Sequence, residues 1–402
     1  MAACLIDGER EIEGSNFHRT QQKAAMADQA PPSQDGGAMA QDAAAGLGGL
    51  VNMGFTCYAN AALQCIRQSK KMPWLCEPGR LATLFEAQPK TDRRRLQQEL
   101  ATTFAEVVQL LERCQRGQSV RPGEFWKRVG PAVRDTLYEH LATREPHDSH
   151  EFYLFLLETL HEATATEVEI KVLRPPPVTT EDRLIIGALE AWKKEFTKEY
   201  SPFVDIFYGL GHWQTACQRC GNITHRWESF NSLKASVPAR SDGPANIAAL
   251  LAADLEPETI EQYECDTCKE KTTVRRWFRV WRLPQTVVLV LKRFQHNGQK
   301  ITTPVAALEG GAVAMFEFAP FFSEVSPERH GTTRYTLRSI VDHHGSSLGG
   351  HYTAQVRHRD AAAAAEAAAA SWYFYDDEGV ANMKGKGPIF GESTYILFLE
   401  RD

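Results

Sequence analysis

The spacing of apolar side chains changes once along this chain, from helical intervals in the first half to alternation in the second. Tyr58, Ala61, Ala62, Cys65 and Ile66 form one stripe and predict a helix starting at about Cys57. After a short piece at 81–85, Leu100, Phe104, Val107, Val108 and Leu111 predict a second helix over 96–114, with Thr91 and Asp92 as candidate caps. A third opens at Asp148, with Glu151 placed to reach back to the cap and Phe152, Phe155, Leu156 and Leu160 buried. Beyond the connector Pro175-Pro176-Pro177, Asp182 is read as the cap of a helix burying Ile185, Ala188, Leu189, Trp192 and Phe196.

Strand-like runs then follow at 203–208, 211–216, 223–230, 232–237, 272–283, 287–292, 335–341, 352–358, 372–376 and 395–399. Helices first and strands afterward define an α+β class. Residues 1–45 are rich in Gln, Ala, Asp, Pro and Gly and are expected to form a disordered tail. The run 361–370, alanine except for Glu366, reads as an insertion at a hairpin tip.

Composition narrows the classes. At 402 residues and 45.0 kDa, 43% apolar and 10% aromatic, the chain holds one large multi-lobed domain or two ordinary ones. With 45 basic against 51 acidic residues there is no electrostatic reason to expect nucleic acid, and a basic protein partner fits better. No run has the length of a membrane span, and the first residues lack a secretory apolar stretch. The nine cysteines are an odd number that favours thiols and metal in cytosol or nucleus over a disulfide framework.

Four of those cysteines form two pairs, Cys217-x-x-Cys220 and Cys265-x-x-Cys268. Each turn offers two thiolates to one ion, so together they complete a closed tetrahedral shell for structural Zn²⁺. A thioredoxin-like redox pair is the alternative, but it needs a strand-to-helix context that 213–230 lacks. The 44 residues between the pairs are expected to be a long strand excursion over 232–264.

Cys57 falls where the positive end of a helix would stabilise a thiolate. Asn52, upstream in a loop that Gly54 lets bend, could donate its amide to an oxyanion. A sulfur nucleophile needs a base, and His351, preceded by Gly349 and Gly350 in a glycine-rich loop, is better placed than His343 or His344. The aromatic run 372–375 ends in Asp376 and Asp377, either of which could orient the imidazole; on a continuing strand they point to opposite faces.

Gly49-Leu50-x-Asn52-x-Gly54-x-Thr56-Cys57-Tyr58-x-Asn60 resembles the cysteine box of the ubiquitin-specific proteases, and Gly349-Gly350-His351-Tyr352-x-Ala354 resembles their histidine box. Asp148, Glu151 and Phe152 match a further signature of that family, although His147 stands where Gln is usual and Phe55 where Asn is frequent. The resemblance implies a papain-like cysteine peptidase with thumb (46–200), fingers (201–283, carrying the zinc ribbon) and palm (284–402). It implies Cys57, His351 and Asp376 as catalytic residues with Asn52 beside them, and Asp377 as an additional polar group. Asp148, Gly349 and Gly350 would contact the substrate tail, and 346–350 would form a loop that moves aside. The expected activity is hydrolysis after the terminal glycine of ubiquitin by a monomer whose partners are ubiquitin and ubiquitinated proteins, with no nucleic acid and no membrane.

Overall fold

In the computed structural model, which describes residues 3–6, 10–13, 45–85, 91–295, 297–346, 349–358 and 371–402, the first apolar stripe becomes the helix Cys57–Ile66. The sequence suggests one buried face, yet every residue of this helix is buried. It runs between the helix Ser149–Thr164 and the strand Gly349–Arg357, so it is enclosed on all sides. Its Gln64 side chain therefore finds its partners inside the fold. Gln64 Nε2 donates to the Gly48 carbonyl at 2.9 Å, and Gln64 Oε1 accepts from Arg67 Nε at 2.7 Å. Arg67, itself buried, pairs with Glu112 at 2.8 Å.

Helix starts follow local chemistry, with three differences from expectation. Thr91 caps Asp92–Arg113, accepting from Arg94 N at 3.1 Å. Asp148 caps Ser149–Thr164, its Oδ1 accepting from His150 N at 2.7 Å and Glu151 N at 3.1 Å. Glu151, however, turns to His140 Nε2 at 3.2 Å rather than back to the cap. The reciprocal box forms at Thr180–Phe196 instead, where Thr179 is the cap and Asp182 the third helical residue: Thr179 Oγ1 accepts from Asp182 N at 3.0 Å and Asp182 Oδ2 from Thr179 N at 2.9 Å. The run expected as a strand at 203–208 is the short helix Pro202–Phe207. Ser201 accepts from Phe203 N at 3.2 Å, and Pro202 presets the first helical dihedral, which outweighs the β-prone composition.

The second half is mostly sheet. The large sheet orders its strands Gly379–Asn382, Trp372–Asp376, Gly349–Arg357, Arg334–Ser346, Thr394–Arg401, Thr286–Lys292 and Leu233–Ser236, with Met315–Glu317 beside Arg334–Ser346. Neighbours are antiparallel except Leu233–Ser236, which lies parallel to Thr286–Lys292. Val288 and Val290 enter the core shared with the helices, whereas Val287, Leu289 and Leu291 enter a second core on the opposite face. A strand buried on both faces reads as the continuous apolar run seen in the sequence. Arg357 pairs with Trp372 across the hairpin whose expected insertion, 361–370, lies outside the described residues.

A smaller antiparallel sheet orders Ile223–Phe230, Gly209–Cys217, Lys271–Arg282 and Glu258–Glu264. The excursion between the cysteine pairs is not strand throughout. Leu233–Ser236 joins the large sheet, Asn246 caps the helix Ile247–Asp254 by accepting from Ala249 N at 2.9 Å, and the chain returns as Glu258–Glu264. The segment 233–254 thus sits with the large sheet although it falls inside the range expected for the fingers.

Within the stretch 1–45 expected as a disordered tail, Ala3–Ile6 pairs with both Arg10–Glu13 and Ile170–Leu173. The average composition of the stretch masks the short β-prone run Cys4-Leu5-Ile6. Among the described residues, no helix is long and apolar enough to cross a membrane.

Candidate active site

The loop before Cys57 is locked by its own polar side chains. Asn52 Oδ1 accepts from Gly54 N at 3.0 Å and Thr56 N at 3.1 Å, and Thr56 Oγ1 accepts from Met53 N at 2.9 Å. This turn delivers Cys57 as the first residue of its helix with 7% of its surface exposed. The expected lowering of its thiol pKa is not what the structure holds. Burial pushes the thiol up and the Asp377 charge adds to this, while the N–H groups of Tyr352, Tyr58 and Cys57 pull it partly back. The resting sulfur in this cleft is a thiol that requires a base.

The helix that Cys57 begins packs against the strand Gly349–Arg357, which carries His351. His351 lies within Gly349–Arg357, opposite His344, rather than in a loop ahead of a strand. Its Nε2 is 2.5 Å from Asp376 Oδ1. The competing histidines are engaged elsewhere. His343 is buried between Phe294 and Tyr352, its pKa pushed down to about 4 by burial, and His344 Nε2 meets Thr353 Oγ1 at 3.2 Å.

The choice between the two aspartates is made by backbone conformation, not by strand alternation. The strand Trp372–Asp376 stops at Asp376, and Asp377 turns with φ of 49°. Its Oδ2 accepts from Asn52 Nδ2 and its Oδ1 from Asn60 Nδ2, each at 2.8 Å. Both carboxylates have an oxygen within 4.8 Å of one ring nitrogen of His351, but it is Asp376 that bonds the imidazole. Asn60 was given no role in the sequence reading. A polar residue on the first turn of a mostly apolar helix is the signal that points to it.

Gly49 explains how loop and acidic turn meet. A Cβ there would lie 2.3 Å from the Glu378 carbonyl, and the neighbouring Leu50 N donates to the Asp377 carbonyl at 2.8 Å. Gly350 is similarly confined, since a Cβ would fall 2.3 Å from His343 Nε2, whereas Gly349 opens to free space. Ser346 pairs with Gly349 in a hairpin, and residues 347–348 of the expected moving loop lie outside the described residues. Asp148 joins the helical lobe to the sheet: Tyr395 Oη donates to its Oδ2 at 2.7 Å, and burial pushes its carboxyl up.

In the smaller sheet, the sulfurs of Cys217, Cys220, Cys265 and Cys268 lie within 4.8 Å of one another, and all four are free thiols. The contacts Cys217 to Cys268 and Cys220 to Cys265 are 3.9 and 3.8 Å. A tetrahedron with metal–sulfur bonds of about 2.3 Å has edges of about 3.8 Å. The four residues therefore fit one metal ion. The two knuckles repeat one backbone pattern: Gly221 N donates to the Cys217 carbonyl at 3.0 Å and Lys269 N to the Cys265 carbonyl at 2.8 Å. Lys269 adopts φ of 55° to do so, a demand its residue type does not announce.

A helical lobe closed against an antiparallel sheet, with a thiol at their seam and a four-thiol lobe beyond, is the α+β architecture of a ubiquitin-specific cysteine peptidase. Residues 48–399 match the family described as Ubiquitin carboxyl-terminal hydrolase, and the chain belongs to that family. It is 26% identical over 379 residues to Ubiquitin carboxyl-terminal hydrolase 4 of Vanderwaltozyma polyspora, covering 88% of this chain and 41% of that protein. It is 25% identical over 376 residues to Ubiquitin carboxyl-terminal hydrolase 21 of Mus musculus, covering 88% of this chain and 61% of that protein. The chain thus spans between two fifths and about three fifths of these relatives' length. A similar solved structure is the SAGA Ubp8/Sgf11/Sus1/Sgf73 DUB module bound to ubiquitin aldehyde, with a TM-score of 0.62 and 18% identity over 90% of this chain and 71% of that one.

Proposed function

We propose that this chain is a cysteine-type deubiquitinase that hydrolyses the peptide or isopeptide bond after the terminal glycine of ubiquitin. The observation that carries the reading is the juxtaposition at the seam: the helix that Cys57 begins packs against the two neighbouring strands on which His351 bonds Asp376 at 2.5 Å. Family membership and the ubiquitin-aldehyde complex of the similar structure support ubiquitin as the substrate.

His351 Nε2 is engaged by Asp376, so Nδ1 is the nitrogen left to take the Cys57 proton. The thiolate so formed adds to the glycine carbonyl carbon, and the oxyanion is met by backbone N–H groups at the helix start and the second amide hydrogen of Asn52. Collapse breaks the C–N bond as His351 returns the proton to the departing amine. Water then attacks the thioester, giving a proton to His351, and the released sulfur recovers it. Asp377 holds the Asn52 amide in place through its 2.8 Å bond. The substrate tail runs between Asp148 and the Gly349-Gly350 segment.

The four cysteines hold Zn²⁺ in a structural role, since a closed sulfur shell leaves no coordination position for substrate. The protein acts as a monomer on ubiquitin and ubiquitinated proteins in cytosol or nucleus. Ubiquitin carrying a C-terminal electrophile tests the reading. It is expected to form an adduct mapped to Cys57, and Cys57→Ala is expected to lose both the adduct and at least about a thousandfold in turnover while still binding ubiquitin. An adduct on another cysteine, or turnover retained by Cys57→Ala, would overturn it.

A further inference from the structure

The helix that Cys57 begins, together with the residue just past its end, carries three buried polar side chains on one stripe: Asn60, Gln64 and Arg67, spaced i, i+4 and i+7. They lie along the segment 46–50 and donate to alternate carbonyls. Asn60 Nδ2 reaches Leu50 O at 3.4 Å, Gln64 Nε2 reaches Gly48 O at 2.9 Å and Arg67 Nη2 reaches Gly46 O at 2.8 Å. A helical stripe thus meets every second residue of the neighbouring chain, and the register between them is fixed. The three rungs end differently. Gln64 turns its oxygen to Arg67 Nε, and Arg67 pairs with Glu112, so these two tie the fold together. Asn60 instead reaches the acidic turn, its Nδ2 donating to Asp377 Oδ1 at 2.8 Å. No donor among the described residues meets Asn60 Oδ1, so this amide is placed by its N–H groups.

Asp377 is thereby held at both oxygens. Its Oδ2 accepts from Asn52 Nδ2 at 2.8 Å while its Oδ1 accepts from Asn60, and Asn52 Oδ1 is already occupied by Gly54 N and Thr56 N. Of the Asn52 amide, the second N–H is left. An oxygen of Asp377 also lies within 4.8 Å of a ring nitrogen of His351. A carboxylate released on the Asn60 side would turn toward that imidazole when it is protonated, and would loosen its hold on Asn52. We propose that Asn60 is a positioning residue for the hydrolysis: it fixes the Asp377 carboxylate, so that Asn52 keeps its remaining N–H on the oxyanion. This rests on the functional reading above, which gives Asn52 that task. Asn60 acts through two other side chains, so its effect falls on the barrier and not on the binding of ubiquitin.

Turnover of ubiquitin ethyl ester by the full chain tests this, with kcat and KM read separately. Asn60→Ala is expected to lower kcat about tenfold and to leave KM within about twofold. Gln64→Ala removes the neighbouring rung, which has no bond to the acidic turn; it is expected to unfold at a lower temperature than the wild type yet keep kcat within about twofold. Asn52→Ala is expected to cost at least about a hundredfold, and adding Asn60→Ala to it is expected to cost no more, because the amide that Asn60 positions is gone. Asn60→Ser completes the same cycle if Asn60→Ala does not fold. An unchanged kcat, a loss confined to KM, an equal kcat loss in Gln64→Ala, or losses that multiply in the cycle overturns the assignment of Asn60 while leaving the hydrolase reading intact. Inability of the wild-type chain to hydrolyse the ester overturns both.

Discussion

The four-cysteine lobe and the cleft around Cys57 both gather reactive side chains, but they are specified at different ranges. Each cysteine knuckle carries its own turn, closed by a bond from the fifth residue back to the first, at 3.0 Å in one and 2.8 Å in the other. Only the meeting of two such turns across Gly209–Cys217 and Lys271–Arg282 is left to the fold. The cleft has no comparable local unit. Its thiol begins a helix of the first half, its imidazole and carboxylate lie on neighbouring strands of the second, and Asp377 joins them by accepting from Asn52 and Asn60, more than three hundred residues earlier. A locally written site is recognisable from spacing alone and is stabilised by what it binds. A site written across the chain depends on every layer between its parts.

That contrast can be broken most forcefully at the metal ligands. Cys265→Ser is expected to remove most of the stabilisation that a bound zinc gives, which is on the order of 10 kcal/mol in small zinc-folded units. Loss of bound zinc with unfolding of the small sheet at lower denaturant is the expected outcome. The large sheet, which has its own two cores, should unfold in a later transition. Unchanged stability with zinc lost would show that the lobe is held by its strands and not by the ion.

A smaller effect sharpens the other side of the comparison. The Asp377 charge raises the Cys57 thiol pKa, so Asp377→Asn is expected to lower it and to increase the thiolate fraction at a given pH. The pH profile of Cys57 alkylation by iodoacetamide should then move to lower pH. A profile that stays or moves to higher pH would show that the carboxylate serves only as a hydrogen-bond acceptor.

The difference in range also explains what was legible in the sequence. The helical stripes, the strand runs and the cysteine pairs rest on patterns a few residues long, and the elements built from them appear in the structure. The strand Trp372–Asp376 has the bounds read from its aromatic run. Where a start signal competed with composition, as at Ser201-Pro202, local capping won and the expected strand became a helix. The direction of the Cys57 shift was not legible, because a helix start announces itself locally while burial by a distant sheet does not. The same holds for Asp377, whose left-handed turn removes it from the alternation that would have set it against Asp376. Asn60 and Lys269 were missed for a related reason, since the demands on them come from a partner or a dihedral rather than from their own side chains.

The central claim is that Cys57, His351 and Asp376 act as one unit assembled from the two ends of the chain. A double-mutant cycle on kcat/KM for ubiquitin ethyl ester, with His351→Ala and Asp376→Ala alone and together, measures this most directly. If Asp376 works only through the imbalance it imposes on the His351 ring, the double variant should be no slower than His351→Ala alone. Losses that simply multiply would mean that the two residues act independently, and the unit proposed here would not exist.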